Sequence, residues 1–336
     1  MVRAAASADR AGRGHRGVKP RIALVATGGT IQNTPTGRIA VDDVWARLGT
    51  YAGEPRTPEV DLDVHDLLRA GAETFGPPEW RVIVEAVQRR ADDEATTAIV
   101  LTHGTFTAEE TAYLLHLAVD ASKPIVVVVS QRKHGTAGND GDRNLIDGVR
   151  VALEPDAAGL GVLLVANEEI HCAREVTKEN QRPGAFQSTP VGPLGTIELD
   201  QPTLYRAPLR RHTSRSALAR TSLETIPRVD IVTGYAGADG TAIQAALDAG
   251  AKAVVLQGFA YSGRGSDPQM AALEQVARGG IPVIFASRGR GGRIPRVPGA
   301  WWVRADNLSA QKARVLTSLA LAAGQGDRLQ ELFDTH

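Results

Sequence analysis

Cysteine is nearly missing. Cys172 stands alone among 336 residues, so no intrachain disulfide can form, and such usage fits a reducing cytoplasm. Long apolar runs are missing too: the longest, Pro124 to Val129 and Gly161 to Ala166, have strand length, far short of the roughly twenty residues that cross a bilayer. Neither sign of charge is in excess, with 38 Lys plus Arg against 38 Asp plus Glu, which removes the field that draws a chain to nucleic acid or an anionic membrane. There is no P-loop, and Gly28-Gly29 lacks both the G-x-G-x-x-G spacing and the later ribose-binding acid of a dinucleotide site. His65, His116, His134 and His171 lack the helical spacing or the Cys/Asp company of metal ligands. No cofactor, metal, nucleic acid or membrane is therefore expected, and a small molecule remains as the partner. Met1 to Pro20 has no apolar h-region and does not read as a secretory signal. Its Arg3, Arg10, Arg13, Arg16 and Lys19 fit an RNA-binding arm, a solvated disordered tail or a misplaced start, and the tail is the reading carried forward.

What is present is alternation. Strand-like runs at Ile22 to Ala26, Ala98 to Leu101, Pro124 to Val129 and Gly161 to Ala166 are interleaved with helical patterns at Trp80 to Arg90, Glu109 to Ala121 and Asn144 to Ala152. Such order implies α/β structure with parallel strands and crossover helices. A shorter cycle follows Pro227, with strands at Val229 to Val232, Ala253 to Leu256 and Pro282 to Phe285, and helices at Ala242 to Ala249, Gln269 to Ala277 and Ala310 to Ala323. Between the cycles, Gly192 to Thr225 carries Pro193, Pro202 and Pro208 and reads as an interdomain linker. The expected organisation is a tail over 1–20, a catalytic domain over 21–205, a linker over 206–225 and a second domain over 226–336. The length lets each domain bury its own core.

Two glycine turns carry the chemistry. Thr27-Gly28-Gly29-Thr30-Ile31 follows the first apolar strand, and Thr102-His103-Gly104-Thr105 follows the second. A nucleophilic threonine needs a turn that presents its oxygen, a base for its proton and N–H donors for the developing oxyanion. Glycines at a strand end let a substrate approach the backbone, although a lone strand-end threonine is more often only a cap. His103 reads as a packing residue. Asp140-Gly141-Asp142-Arg143-Asn144-Leu145 reads as an Asx-type helix cap that fixes the sheet end.

Taken in order, TGGTI, LTHGT with its TAEETAYLL helix, Val176-Thr177-Lys178, the GPLG of Gly192 to Gly195 and NLSAQKARVL from Asn307 to Leu316 resemble the bacterial asparaginase/glutaminase family, from about Arg21 to the C-terminus. The resemblance implies a two-domain asparaginase-like fold, each domain a largely parallel sheet with flanking helices. It implies Thr30 as nucleophile, Thr105 as second nucleophile and Lys178 as proton relay, with Gly29, Ala72, Glu73, Gly104, Phe106 and Arg288 at the substrate. It also implies a homo-oligomer, a dimer of dimers, in which the C-terminal domain of one chain closes over the threonine turns of another. A surface role for Lys178, paired locally with Glu175 or Glu179, is the competing reading.

The departures are chemical. The family aspartate after the second threonine is Phe106, and its substrate-binding serine is Ala72, eight residues before Trp80. Its gate tyrosine has no counterpart in Ile31 to Thr50, which instead reads Thr34-Pro35-Thr36-Gly37-Arg38. The segment Ser287 to Arg296, where a partner glutamate is expected, contains no acid and four arginines, Arg288, Arg290, Arg293 and Arg296. Those arginines suit a carboxylate or phosphate, or belong to a mobile loop that meets the partner subunit. Tyr261 to Ser266 is a further polar loop for the same cleft. The function expected is a cytoplasmic amidohydrolase with a threonine nucleophile, acting on a carboxamide other than ordinary L-asparagine. Two others compete: an amide cyclase in which Phe106 and Phe75 exclude water, and a non-catalytic sensor on the same fold.

Overall fold

A computed structural model describes residues 19–48, 57–289 and 291–336; the expected tail, apart from its last two residues, and Arg290 lie outside the described residues. Eight strands form the larger sheet: β1 (Arg21–Ala26), β2 (Asp61–Asp66), β3 (Ala98–Thr102), β4 (Ile125–Val128), β5 (Val162–Ala166), β6 (Glu169–Cys172), β7 (Gly195–Glu198) and β8 (Gln201–Leu204). Their spatial order is β8-β7-β6-β5-β4-β3-β1-β2, parallel from β5 to β2 and antiparallel from β5 to β8. The central strands read as unbroken apolar runs because both faces are covered. In β3, Ile99 and Leu101 face α2 (Pro77–Asp92) and α3 (Ala108–Ala118), while Ala98 and Val100 face α1 (Val41–Leu48) and α4 (Gly141–Leu153).

Strand β2 escapes the sequence pattern. Its residues Asp-Leu-Asp-Val-His-Asp form an edge strand, where charge is tolerated and blocks further pairing. Gly192 to Leu204, linker-like in composition although inside the expected 21–205 domain, supplies β7 and β8. The prolines permit this because β8 is an edge: Pro202 needs no ladder donor on its open side.

The second sheet runs β9 (Val229–Thr233), β10 (Ala253–Gly258), β11 (Val283–Ser287) and β12 (Val303–Arg304), all parallel. One face packs on α5 (Thr241–Asp248) and α6 (Asp267–Arg278). The other meets α7 (Ala310–Ala322), and α8 (Leu329–Thr335) closes the chain. Beside the core between the second sheet and α5 and α6, the two domains also share one. Helix α7 lies between the second sheet and α3, so Leu316, Val255 and Ile284 share one continuous core with Tyr113, Leu114 and Trp80. Arg314 seals the seam, its guanidinium 5.0 Å over the Trp80 ring and 3.4 Å from Glu110. Among the described residues no helix is long and apolar enough to cross a membrane.

Candidate active site

Register builds the site. Strands β1 and β3 are neighbours with Ala26 opposite Thr102, so both glycine turns leave the same edge of the sheet, side by side. Thr27 locks them together: its amide and its hydroxyl both donate to the Thr102 carbonyl, at 3.1 and 2.8 Å. A Cβ on Gly29, whose φ is 92°, would lie 2.7 Å from the Gly104 amide nitrogen, and one on Gly104 would lie 2.7 Å from the Ala72 Cβ. Three loops after three adjacent strands therefore touch through residues with little or no side chain. The loop after β4 adds Gln131, and the result is a cleft at the carboxyl ends of parallel strands, the usual ligand position in such sheets.

This cleft is a cavity of about 840 Å³ lined by Gly29, Thr30, Ala72, Glu73, Gly104, Thr105, Phe106 and Lys178, among others. Thr30 opens a short 3-10 turn, Thr30–Gln32. Lys178 comes from elsewhere, a two-residue strand, Thr177–Lys178, paired antiparallel with Phe186–Gln187. The turn before it is held by Lys312 of α7, a buried ammonium that donates to the Arg174 carbonyl at 2.9 Å and to that of Val176. The Lys178 Nζ donates to Thr105 Oγ1 at 2.7 Å and lies 5.1 Å from the Phe106 ring centroid. Partial burial pushes the lysine pKa below its ordinary value, favouring the neutral amine that a base requires. Glu175, expected as a local partner, is bonded to Arg206 at 2.8 Å, and Glu109 accepts the backbone N–H of Lys178.

His103 is fully buried beneath the turn. Its Nδ1 lies 2.7 Å from the Gly104 carbonyl, and burial pushes its pKa down to about 4, so it is a neutral packing residue. Phe75 lies edge-on to that imidazole, 5.2 Å between centroids. It does not line the cavity, which corrects its expected role in excluding water. Phe106 is 69% exposed.

Arg288 lies outside the Thr30 cavity of its own chain. It lines a neighbouring cavity of about 310 Å³ with Arg174, Asp306 and Lys312, and that cavity shares Glu109, Lys178 and Glu179 with the first. Its guanidinium sits 4.8 Å over Phe259 and donates to the Gly234 carbonyl at 3.0 Å, while Arg293 bonds Asp306. Tyr261 is solvent-exposed and lines neither cavity. The Asp140 carboxylate does not cap α4. It accepts the backbone N–H groups of Gln131 and Arg132, at 2.9 and 2.8 Å, clamping the loop that carries Gln131. Asn144 completes the clamp by donating to the Val129 carbonyl.

Sequence reasoning missed Gln131, Asn33 and Arg38 as cavity residues. No local signal marks Gln131, whose position rests on Asp140. Arg38 stood in view within the segment that lacks the gate tyrosine, which forms a small antiparallel ribbon, Asn33–Thr34 against Gly37–Arg38.

Paired threonine turns on a parallel sheet, with a lysine on the second threonine, place hydroxyls and a base in one cavity of a two-domain α/β protein, an arrangement suited to acyl transfer. The sequence matches the models of the asparaginase N-terminal domain over residues 21–210 and of the glutaminase/asparaginase C-terminal domain over residues 228–333. It is 34% identical to a glutaminase-asparaginase of Pseudomonas fluorescens biotype A, over 93% of this chain and 89% of that one. It is 31% identical to L-asparaginase 2 of Escherichia coli K12, over 94% and 93%. The crystal structure of a probable cytoplasmic L-asparaginase from Campylobacter jejuni superposes with a TM-score of 0.87 at 28% identity, covering 95% of this chain and all of that one. The chain belongs to the asparaginase/glutaminase family and is an amidohydrolase of that family.

Proposed function

We propose that this amidohydrolase uses Thr30 as its nucleophile on a carboxamide other than ordinary L-asparagine. One observation carries the reading: the 2.7 Å Lys178–Thr105 hydrogen bond lies in the cavity that Thr30 lines, while the positions where the family grips an amino acid are Ala72 and Phe106. Thr30 Oγ attacks the amide carbon, and its proton passes through Thr105 to the neutral Lys178 amine. N–H groups of the two turns stabilise the oxyanion, the Lys178 ammonium returns the proton to the leaving nitrogen so that ammonia departs, and water, giving its proton to the neutral amine, releases the acid from the threonine ester. Cyclisation keeps only Phe106 as a water shield, and its exposure favours hydrolysis.

The test is a panel of carboxamides followed by mass spectrometry. Hydrolysis releases ammonia and gains water, cyclisation releases ammonia alone, and a sensor leaves its ligand intact. L-asparagine and L-glutamine are expected to be poor substrates, since losing two charge-assisted contacts costs about 3 kcal/mol, roughly a hundredfold. Turnover of L-asparagine at about 10 per second, typical of an efficient enzyme, overturns that specificity. Thr30→Ala should reduce kcat by about a thousandfold or more with binding retained; near-normal turnover by this variant excludes Thr30 as nucleophile.

The reading includes a second subunit, because Arg288 stands outside the Thr30 cavity of its own chain and that cavity is open at Phe106. Light scattering should give a dimer or a dimer of dimers. Mixing Thr30→Ala with Arg288→Ala chains should restore activity; a fully active monomer at nanomolar concentration refutes the shared site.

A further inference from the structure

We infer that Arg38 is the anion anchor of the active site: besides its carboxamide the substrate carries a carboxylate, which the Arg38 guanidinium holds. The inference rests on the amidohydrolase reading above and specifies the class of amide it acts on.

The position comes first. Arg38 lines the Thr30 cavity beside Asn33, Arg69 and Ala70. A Cβ built on Gly28 would lie 3.0 Å from Arg38 Nη1 and 3.1 Å from the Ala70 carbonyl oxygen. The guanidinium thus covers the seam between the loops that follow β1 and β2, with Thr30 two residues beyond Gly28 and Ala72 two residues beyond Ala70.

Its bonding comes next. Arg38 Nη2 donates to the Leu68 carbonyl at 3.0 Å and to Gln32 Oε1 at 3.2 Å, which fixes the plane of the group. Nε and Nη1 have no acceptor among the described residues. The nearest carboxylate, Asp66, is 3.8 Å away, beyond hydrogen-bond length, and is engaged by Arg69 at 2.7 Å. A half-buried, pre-oriented guanidinium whose Nη1 keeps both its hydrogens is a charge-assisted donor for one oxygen of a carboxylate. Burial disfavours its charged form, so a bound anion compensates a cost already present. The need is real as well, because Ala72 leaves a substrate carboxylate without the hydroxyl that the family resemblance leads one to expect.

The experiment compares succinamate, which has one amide and one carboxylate, with the uncharged diamide succinamide, on wild type, Arg38→Gln and Arg38→Lys, with ammonia release as the readout. Binding of succinate and of inorganic phosphate is measured in parallel by calorimetry. Wild type should prefer succinamate and bind succinate more tightly than phosphate. Arg38→Gln should weaken succinate binding and raise KM for succinamate by between about ten- and a hundredfold, with kcat reduced much less and KM for succinamide raised far less than KM for succinamate. Arg38→Lys should recover part of the loss. Equal losses on both amides mean that Arg38 only ties its ribbon to Leu68, and overturn the inference. Wild type binding phosphate but not succinate, or neither, overturns it too. Succinate binding that depends on Arg38, without ammonia from either amide, leaves the anchor standing and sinks the amidohydrolase reading for this class.

Discussion

Lys178 concentrates the chemistry of single residues. Its ammonium would normally stay charged at neutral pH, and here burial lowers the pKa while the Phe106 ring takes the place of an anion. The sign follows directly. In the proposed mechanism the base is the neutral amine, so turnover should rise as pH increases through the depressed lysine pKa and level off above it. Lys178→Met should abolish that rise and lower kcat by about a hundred- to ten-thousandfold, with KM little changed, as a pH–rate profile will report. Phe106→Asp should return the lysine to its charged form and shift the rise to higher pH. It should not restore activity on L-asparagine, because Ala72 and the acid-free 287–296 segment remain. A pH profile of Phe106→Asp identical to wild type would show that the aromatic neighbour does not tune the lysine.

At the scale of elements, the site is a product of turns pressed against one another. Gly29 has φ 92° and ψ 178°, a region open in practice to glycine alone, and the missing Cβ is what lets the turn after β1 touch the turn after β3. Gly29→Ala should therefore cost about 2 kcal/mol or more in stability. Pushing the turns apart by even 1 Å should cost roughly a hundredfold in rate. Chemical denaturation and steady-state kinetics measure the two effects; an active, fully stable Gly29→Ala enzyme would show that the turns are not in register. The elements themselves were readable in proportion to their burial. Strands β3, β4 and β5 announce themselves because both faces are apolar, whereas β2, β7 and β8 sit at or near edges, where charged residues and prolines carry no cost and leave no pattern. Helix α2 begins at Pro77 rather than at Trp80, because Glu79 reaches back to the Gly76 amide and prolines suit a first turn.

For the whole molecule, the shared core decides how it unfolds. Leu316 is fully buried where α7 meets α3 and the second sheet, so the two sheets cannot part without exposing it. Calorimetry should show one transition. Leu316→Ala should destabilise by about 2–5 kcal/mol and shift that transition as a unit; two separable transitions would mean that the sheets fold independently. The same interface carries Lys312, whose ammonium holds the turn leading into Lys178. A helix of the second sheet's layer thus helps position Lys178 beside the first.

What the sequence determined by itself was the chemistry on offer and the local order: glycine turns with threonines after apolar strands, the family those motifs resemble, and the places where an aspartate, a serine and a tyrosine are missing. Those are properties of short segments, and burial on both faces or a glycine turn writes them directly into residue type. Tertiary structure alone decided which residues meet. It set the register of β1 on β3 that brings Thr30 and Thr105 to one cavity, sent Phe75 behind His103 and Arg288 to a neighbouring cavity, and brought Arg38 to the Gly28–Ala70 seam. Contacts between residues distant in the chain depend on strand order and side-chain direction. Neither leaves a periodic trace in the sequence.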